Sequence, residues 1–438
     1  MAVKRPLWRS SHVSAARMGG NVGLTVQERW ADRTDRGALG AWRPDVAAAW
    51  RALWWSRAVI WVAGLSAIGI WGVHAGKRAT FDPAALTRPW SPLGDLLVAP
   101  AARWDSVWLL SVAGSGYGGG DDRAAFFPLY PLLIRVGGTI VGSPLLAAVL
   151  ISWVAFLAGL TVLHRLAVLE LDRESARWAV VALALFPGSL WFSAAYSESL
   201  FLLVSVGAVL AARTGHWTWA GVLGALAAAT RSAGVLLLVP LVLLWWDARA
   251  PRRDLAWLAL VPCGLGAFCA YLALTGHAAN APFAAQDTWH RAFAWPWGGV
   301  RDGAVAAWEG LRQVVHGAAP PVYFMKAGGD PVEVGRHNLM LFGFLVLAVP
   351  ALIGALRRLP LAHGAYAAVA LAMPLSYPVG PQPLMSLPRF EAVLYPLFLW
   401  LGWWLARGAP WRRHLVLGVF AAGLAVFSML FSTWHWVA

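Results

Sequence analysis

The sequence predicts an all-α polytopic membrane protein, built as one integrated domain of helices that cross a bilayer. Three observations predict it. Of 438 residues, 59% are hydrophobic and only 13% are Asp, Glu, Lys or Arg, whereas a soluble domain carries roughly 25% charged residues. Apolar runs of about 18 or more residues recur along the whole chain. The basic residues gather in short segments between alternate runs, the pattern that sets orientation in a membrane. A net charge of +14 would suggest nucleic acid in a soluble protein. Here topology accounts for it, so the expected partners include membrane lipids and no nucleic acid.

The first fifty or so residues are polar and rich in arginine (Arg5, Arg9, Arg17, Arg29, Arg33, Arg36, Arg43). No signal peptide is evident, because the first apolar run begins only after Arg51 and is too long for one. Residues 1–50 therefore read as a cytoplasmic basic arm, and 51–438 as a single transmembrane domain. Apolar runs predict about eleven spans, at 52–74, 144–167, 177–195, 197–212, 217–232, 233–247, 255–274, 338–356, 364–378, 391–406 and 414–434. Helix is the expected conformation, since an open strand edge cannot sit in lipid, and the alternation of a barrel strand is absent. The apolar stretches Leu200–Ala212 and Gly221–Thr230 are short for full spans.

Basic residues follow every second span: His164-Arg165, Arg213, Arg249 with Arg252-Arg253, Arg357-Arg358, and Arg407 with Arg412-Arg413. Those connections are expected to face the cytoplasm. Two long connections, 75–143 and 275–337, then face outward. The first holds an amphipathic piece around Trp104–Ala113, a Gly-rich turn at 114–120 and the apolar run Phe126–Ile134, which read as interfacial helices. Many of the 29 tryptophans lie near span ends, as at Trp54-Trp55, Trp245-Trp246 and Trp403-Trp404, in the manner of an interfacial belt. The wealth of Ala, Gly, Arg and Pro is that of a GC-rich genome and points to a bacterial plasma membrane. No repeat or inverted pair of broken spans of the transporter kind is evident.

The outer connections gather a specific set of charged and polar residues: Arg103 and Asp105, Tyr196 and Glu198, Arg231, then Arg389 and Glu391. Charges at the membrane boundary are costly, so a function or a pairing must compensate. Asp105 could take a proton from a hydroxyl, be a solvated loop acid, or cap a helix over Ser106–Val112. Glu198 could act in a site, or pair with Arg231 to hold two spans together. Arg389 could grip a lipid headgroup. The Gly-rich turn lacks the Lys-Ser/Thr ending of a phosphate-binding loop. Cys263 and Cys269 lie in an apolar run and read as buried packing residues. His290, His316 and His337 are dispersed, so no metal site is expected. Asp121-Asp122 is adjacent rather than spaced and reads as a solvated turn.

Four blocks resemble the PIG-V-like mannosyltransferases, relatives of the enzyme that adds the second mannose to GPI anchors. They are Arg103-Trp104-Asp105 with Gly116-Tyr117 and Ala125–Leu132; Phe186-Pro187-Gly188-Ser189 with Phe192–Leu200; Ala229–Gly234; and Pro381-Gln382-Pro383 with Leu387-Pro388-Arg389-Phe390. The resemblance implies a GT-C-type glycosyltransferase with its active site on the outer face. The donor would be polyprenyl-phosphate-mannose and the acceptor a glycolipid or glycan. It implies no cofactor, and leaves a divalent metal open. It maps the family's reaction-centre acid onto Asp105.

With a phosphate as leaving group, the reaction needs a base for the acceptor hydroxyl and positive charge for the departing anion. Asp105 is the expected base. Arg389 is the first candidate for the phosphate and Arg231 the second, because a guanidinium binds phosphate bidentately. Arg103 is expected to hold Asp105 ionised or to touch the donor. Trp104, Tyr117, Tyr196, Glu198 and Gln382 are the expected substrate-binding set. One carboxylate serves an inverting displacement. The competing class is a lipid or sugar transporter without transferase activity.

Overall fold

The computed structural model describes residues 42–118, 120–317 and 330–437. Residues 1–41 of the expected 1–50 arm and part of the second long loop fall outside the described residues. Residues 44–438 form one compact unit. Among the described residues the unit is helical, with one isolated antiparallel bridge, Arg291 to Val379.

The principal helices are α1 (Arg43–Trp71), α2 (Asp105–Ser115), α3 (Leu129–Val141), α4 (Pro144–Glu170), α5 (Arg173–Leu185), α6 (Glu198–Arg213), α7 (Trp217–Thr230), α8 (Leu238–Asp247), α9 (Arg252–Leu274, two abutting pieces), α10 (Trp295–His316), α11 (Pro331–Arg358), α12 (Leu361–Leu375), α13 (Leu387–Ala392), α14 (Tyr395–Ala406) and α15 (Pro410–Ser432). Their starts are written in the sequence. Ser143 accepts the Leu146 N–H at 3.3 Å and Asp172 the Ser175 N–H at 2.9 Å, the side-chain caps of α4 and α5. Proline opens α4, α11 and α15, where its missing N–H costs nothing.

Five helices are long and apolar enough to cross a membrane: α1, α4, α9, α11 and α15. They coincide with five of the expected spans. A sixth candidate is Pro92–Ala101 joined to α2, bent by 105° at its break. The other six expected spans are shorter helices; by length and composition five or six helices among the described residues are candidate crossings. The shortening has a local cause. Pro187 ends α5, with Phe186 in the extended conformation that a residue before proline prefers. Arg231 is likewise extended and ends α7. Both breaks fall at the end of the bundle where the site is built.

Helix α6 packs between α4 and α7, and α14 lies along α5. Phe156 and Phe192 stack at 4.5 Å in the buried centre. Apolar side chains such as Val62, Ile70, Leu347 and Val419 remain exposed on the long helices. In water such faces would be a liability; in lipid they meet a matching solvent. Helix α6 has Glu198 in its first turn and Arg213 in its last, so its charges oppose the helix dipole favourably. They stand roughly 22 Å apart. Arg213 pairs with Glu170, which also meets His363 at 3.3 Å. Asp45 meets His164 at 2.6 Å and Arg165 at 3.6 Å. A separate ionic cluster forms around Glu198.

Candidate active site

The site begins at the bend before α2. Trp104 has φ +54°, a left-handed conformation costly for a bulky residue. Three aromatic contacts hold it there: Phe81 at 5.4 Å, Trp434 at 5.4 Å and Trp436 at 5.0 Å. The tight turn before α6 is clipped to the same place. The Ala195 N–H donates to the Ala101 carbonyl at 2.9 Å. The Tyr196 hydroxyl accepts the Asp105 N–H at 3.2 Å and donates to the Arg103 carbonyl at 3.1 Å. Asp105 is thereby fixed as the first residue of α2, with its backbone tied to a residue 91 positions away.

Arg389 is delivered from the other side. Ser386, at φ +68°, turns the chain into the short helix α13. That helix lies on the 3-10 turn Pro187–Phe192. Gly188 makes the contact possible, because a Cβ there would stand 2.3 Å from the Pro388 carbonyl oxygen. The glycine of the Phe-Pro-Gly-Ser block is thus what lets the Arg389 segment approach.

Arg389 then bridges two carboxylates. Its Nη1 donates to Asp105 Oδ2 and its Nε to Glu198 Oε1. Arg231 Nη1 donates to the same Glu198 oxygen. The Arg389 guanidinium also lies 4.7 Å from the Tyr196 ring centroid, a cation–π contact. Burial alone would lower the Arg389 pKa; the carboxylates of Glu198 and then Asp105 override it and hold the guanidinium firmly charged. Burial, with the Asp105 charge second, pushes the Tyr196 hydroxyl well above its ordinary range, so it stays protonated. Glu198 is fully buried, while the Asp105 side chain keeps 23% exposure. Exposure singles out Asp105 as the acid that a substrate could reach.

Asp105 lies on the wall of a cavity of about 980 Å³. Trp104, Trp108, Trp289 and Met385 make much of the lining apolar, and Gln382, His337 and the Lys77–Glu333 pair add polar points. The Gln382 Oε1 is buried without a hydrogen-bond partner, so it is available to a ligand hydroxyl. A cleft of about 20 Å³ between Asp105, Arg389, Tyr196 and Trp436 adjoins it, room for about one water. Thr288 donates to Asp122 at 2.5 Å, tying the second long loop to the first.

Asp105, Tyr196, Glu198, Arg231 and Arg389 meet; Trp104 and Gln382 share the cavity. Two expected site residues lie elsewhere. Arg103 donates to the Ala99 carbonyl at 2.5 Å and the Ala102 carbonyl at 3.2 Å, and stacks on Trp434 at 4.9 Å. It braces the bend from behind and, among the described residues, makes no pair with Asp105, which lies across the break at Trp104. The Tyr117 hydroxyl donates to the Phe126 carbonyl at 2.8 Å, and its ring packs on Phe268. It is a packing residue of the first loop outside the cavity wall. Glu391, two residues beyond Arg389, is buried apart from the cluster, and burial raises its carboxyl well above the usual range.

The residues missed at the level of sequence are Trp108, Trp289 and Arg291. Arg291 lies beside the cluster, with its guanidinium 5.8 Å from the Phe390 ring. Nothing in its local sequence distinguishes it from other loop arginines. Among the described residues, no group of three His, Cys, Asp or Glu side chains is placed to hold a metal ion.

Residues 91–244 match the family model of the mannosyltransferases of the PIG-V type. GPI alpha-1,6-mannosyltransferase 2 of Cricetulus griseus is 28% identical over 151 residues, 32% of this chain and 30% of that protein. GPI mannosyltransferase 2 of Drosophila pseudoobscura pseudoobscura is 30% identical over 118 residues, 24% of this chain and 26% of that protein. The Rattus norvegicus GPI alpha-1,6-mannosyltransferase 2 is 28% identical over 155 residues, 33% of this chain and 31% of that protein. The chain thus spans under a third of the length of these relatives. No solved structure matches. The matched segment carries Asp105, Tyr196, Glu198 and Arg231; Arg389 joins them from outside it.

Proposed function

With residues 91–244 PIG-V-like, we propose that the chain is a membrane mannosyltransferase. It transfers mannose from a polyprenyl-phosphate donor to a glycolipid or glycan acceptor, with inversion and with Asp105 as general base. The observation that carries this reading is the position of Asp105. Its carboxylate lies on the wall of a cavity of about 980 Å³, with the Arg389 guanidinium bound behind it. A large apolar cavity with a few convergent polar groups is the usual form of a small-molecule site.

In the reaction, an acceptor hydroxyl oxygen forms a bond to the anomeric carbon as the bond from that carbon to the phosphate oxygen breaks. The hydroxyl proton goes to Asp105. The electron pair of the broken bond leaves on the polyprenyl phosphate. The phosphate monoester departs without prior protonation, so one carboxylate suffices. A β-linked donor then gives an α-mannoside, the linkage in the names of the mammalian relatives.

Arg389 has two tasks. Its Nη1 aims the Asp105 carboxylate, and its Nη2 is left for the leaving phosphate. Arg231 keeps Nε and Nη2 beyond its bond to Glu198. Glu198, buried between them, fixes both guanidiniums. Tyr196 fixes the backbone of the base, and Trp104 and Gln382 face the sugar. The site belongs to the Glu198 end of α6, opposite the end where Arg213 and Arg407 collect. By the positive-inside rule the site then faces outward, across a plasma membrane.

The test is direct. Purified chain in lipid nanodiscs receives labelled polyprenyl-phosphate-mannose and a panel of glycolipid acceptors. Label on an acceptor supports the reading. Lipid movement across a vesicle with no transfer makes the chain a transporter instead, and absence of both also overturns the proposal.

A further inference from the structure

We infer that Arg291, from the second long loop, supplies the principal contact to the donor's phosphate. The identity of the donor rests on the transferase reading; the anion site rests on geometry. Arg291 follows the 3-10 turn Ala285–Trp289 and is bridged to Val379. Trp289 and Val379 both line the large cavity, so the bridge sets Arg291 at its edge. Its guanidinium lies 5.8 Å from the centroid of Phe390, and that of Arg231 lies 5.6 Å from the same ring.

Charge balance separates Arg291 from its neighbours. Three guanidiniums and two carboxylates gather here, leaving one positive charge. Arg389 and Arg231 have carboxylate partners. Among the described residues Arg291 has none; its hydrogen bond is from Nη1 to the Tyr377 carbonyl at 3.1 Å. Nε and Nη2 are left for a ligand. Burial first, and the like charge of Arg389 second, push this guanidinium down to about 10, so it is fully charged at neutral pH. A partly buried cation with no counter-charge is expensive. One phosphodiester carries the single negative charge that closes the balance, and a guanidinium takes it bidentately.

The chain beyond Arg291 favours a lipid-borne phosphate over a free one. Phe293, Trp295 and Trp297 follow it, all more than half exposed. Trp295 and Trp297 stack at 5.3 Å, with Phe293 against Trp295 at 4.9 Å. An apolar tail starting at the phosphate would meet this aromatic strip at once.

The test measures equilibrium binding of a long-chain polyprenyl phosphate, with the neutral polyprenol and inorganic phosphate as comparisons. It uses the full chain in nanodiscs and needs no turnover. The unmodified chain is expected to bind the lipid phosphate most tightly. Arg291→Gln should weaken it roughly ten- to a hundred-fold, the scale of a lost charge-assisted hydrogen bond, leaving polyprenol binding unchanged. Arg291→Lys should lie between, and Arg301→Gln, an exposed charge on α10, should bind as the unmodified chain does. Lipid-phosphate affinity unchanged in both Arg291 variants overturns the inference. Arg291-dependent binding of inorganic phosphate without preference for the lipid overturns the lipid assignment. If the chain transfers no mannose but binds polyprenyl phosphate through Arg291, the site stands and the transferase reading falls. If it transfers mannose with an unchanged donor KM in Arg291→Gln, the reverse holds.

Discussion

Asp105 and Arg389, 284 positions apart in sequence, form an ion pair at the cavity wall, and Arg389 holds Glu198 with its other edge. One planar guanidinium thus fixes an accessible acid and a buried acid in a single geometry. Lysine, a point charge on a flexible stem, could not bridge both in this way.

Removing the base should remove the chemistry and spare the fold. Asp105→Asn keeps the side-chain shape and the backbone bond to Tyr196, but cannot take a proton. Transfer should fall between about a hundred- and ten-thousand-fold, the usual contribution of a general base. Single-turnover rates on purified protein check this. Near-normal turnover in the variant would take the base role away from Asp105.

Arg389→Ala should cost stability as well as activity. It strips a partner from buried Glu198 and leaves Asp105 unpaired. Breaking such a pair costs about 3 kcal/mol or more. Adding Glu198→Gln should recover part of that loss, because the buried charge goes with its partner. Thermal unfolding of the two single variants and the double variant measures the coupling. Strict additivity would mean that the two groups do not interact.

Each member of the ionic cluster stood out in the sequence as a costly charge at the membrane boundary, and the Glu198–Arg231 pair was a reading that local sequence allowed. The link to Asp105 was not legible, because it depends on how α13 docks across the bundle. The place of Arg103 is hidden for a related reason: nearness in sequence suggests a pair with Asp105, and the break at Trp104 turns the two apart. Arg291 gave no signal, since its place is set by a bridge to Val379, 88 positions away by their numbers. The apolar runs marked where helices lie. They did not report that Pro187 and Arg231 interrupt them.

The strain at Trp104 can be measured by two substitutions. Trp104→Ala and Trp104→Gly both forfeit the contacts to Phe81, Trp434 and Trp436. Only glycine tolerates φ +54° without penalty. The glycine variant should therefore be the more stable of the two by about 1 kcal/mol, despite its greater freedom when unfolded. An alanine variant that melts at or above the glycine variant would show that the bend holds no strain.

Tyr196→Phe isolates the hydroxyl that ties Asp105 N–H to the Arg103 carbonyl. The ring stays beneath Arg389, so the cation–π contact survives. Stability should fall by about 1 kcal/mol, the net worth of one hydrogen bond. The larger effect should be on kcat, since a loosened first turn of α2 misaims the base, while donor KM holds. A variant that raised donor KM at constant kcat would assign the tyrosine to binding rather than to positioning.

Gly188 offers a test of the assembly itself, because it touches no expected substrate. Its missing side chain is what admits the Pro388 carbonyl, one residue before Arg389. In Gly188→Ala the new Cβ would meet that oxygen at 2.3 Å, well inside contact distance. Backbone on both sides leaves no flexible tip to yield, so α13 must shift, and Arg389 with it. A displacement of about 1 Å at a catalytic group can cost about a hundredfold in rate. The variant should therefore lose activity to about that extent while Asp105, Glu198 and Arg231 are all intact. Rate assays beside a thermal melt separate misplacement from unfolding. Full activity in Gly188→Ala would mean that the docking of α13 on the Pro187–Phe192 turn does not govern where Arg389 stands.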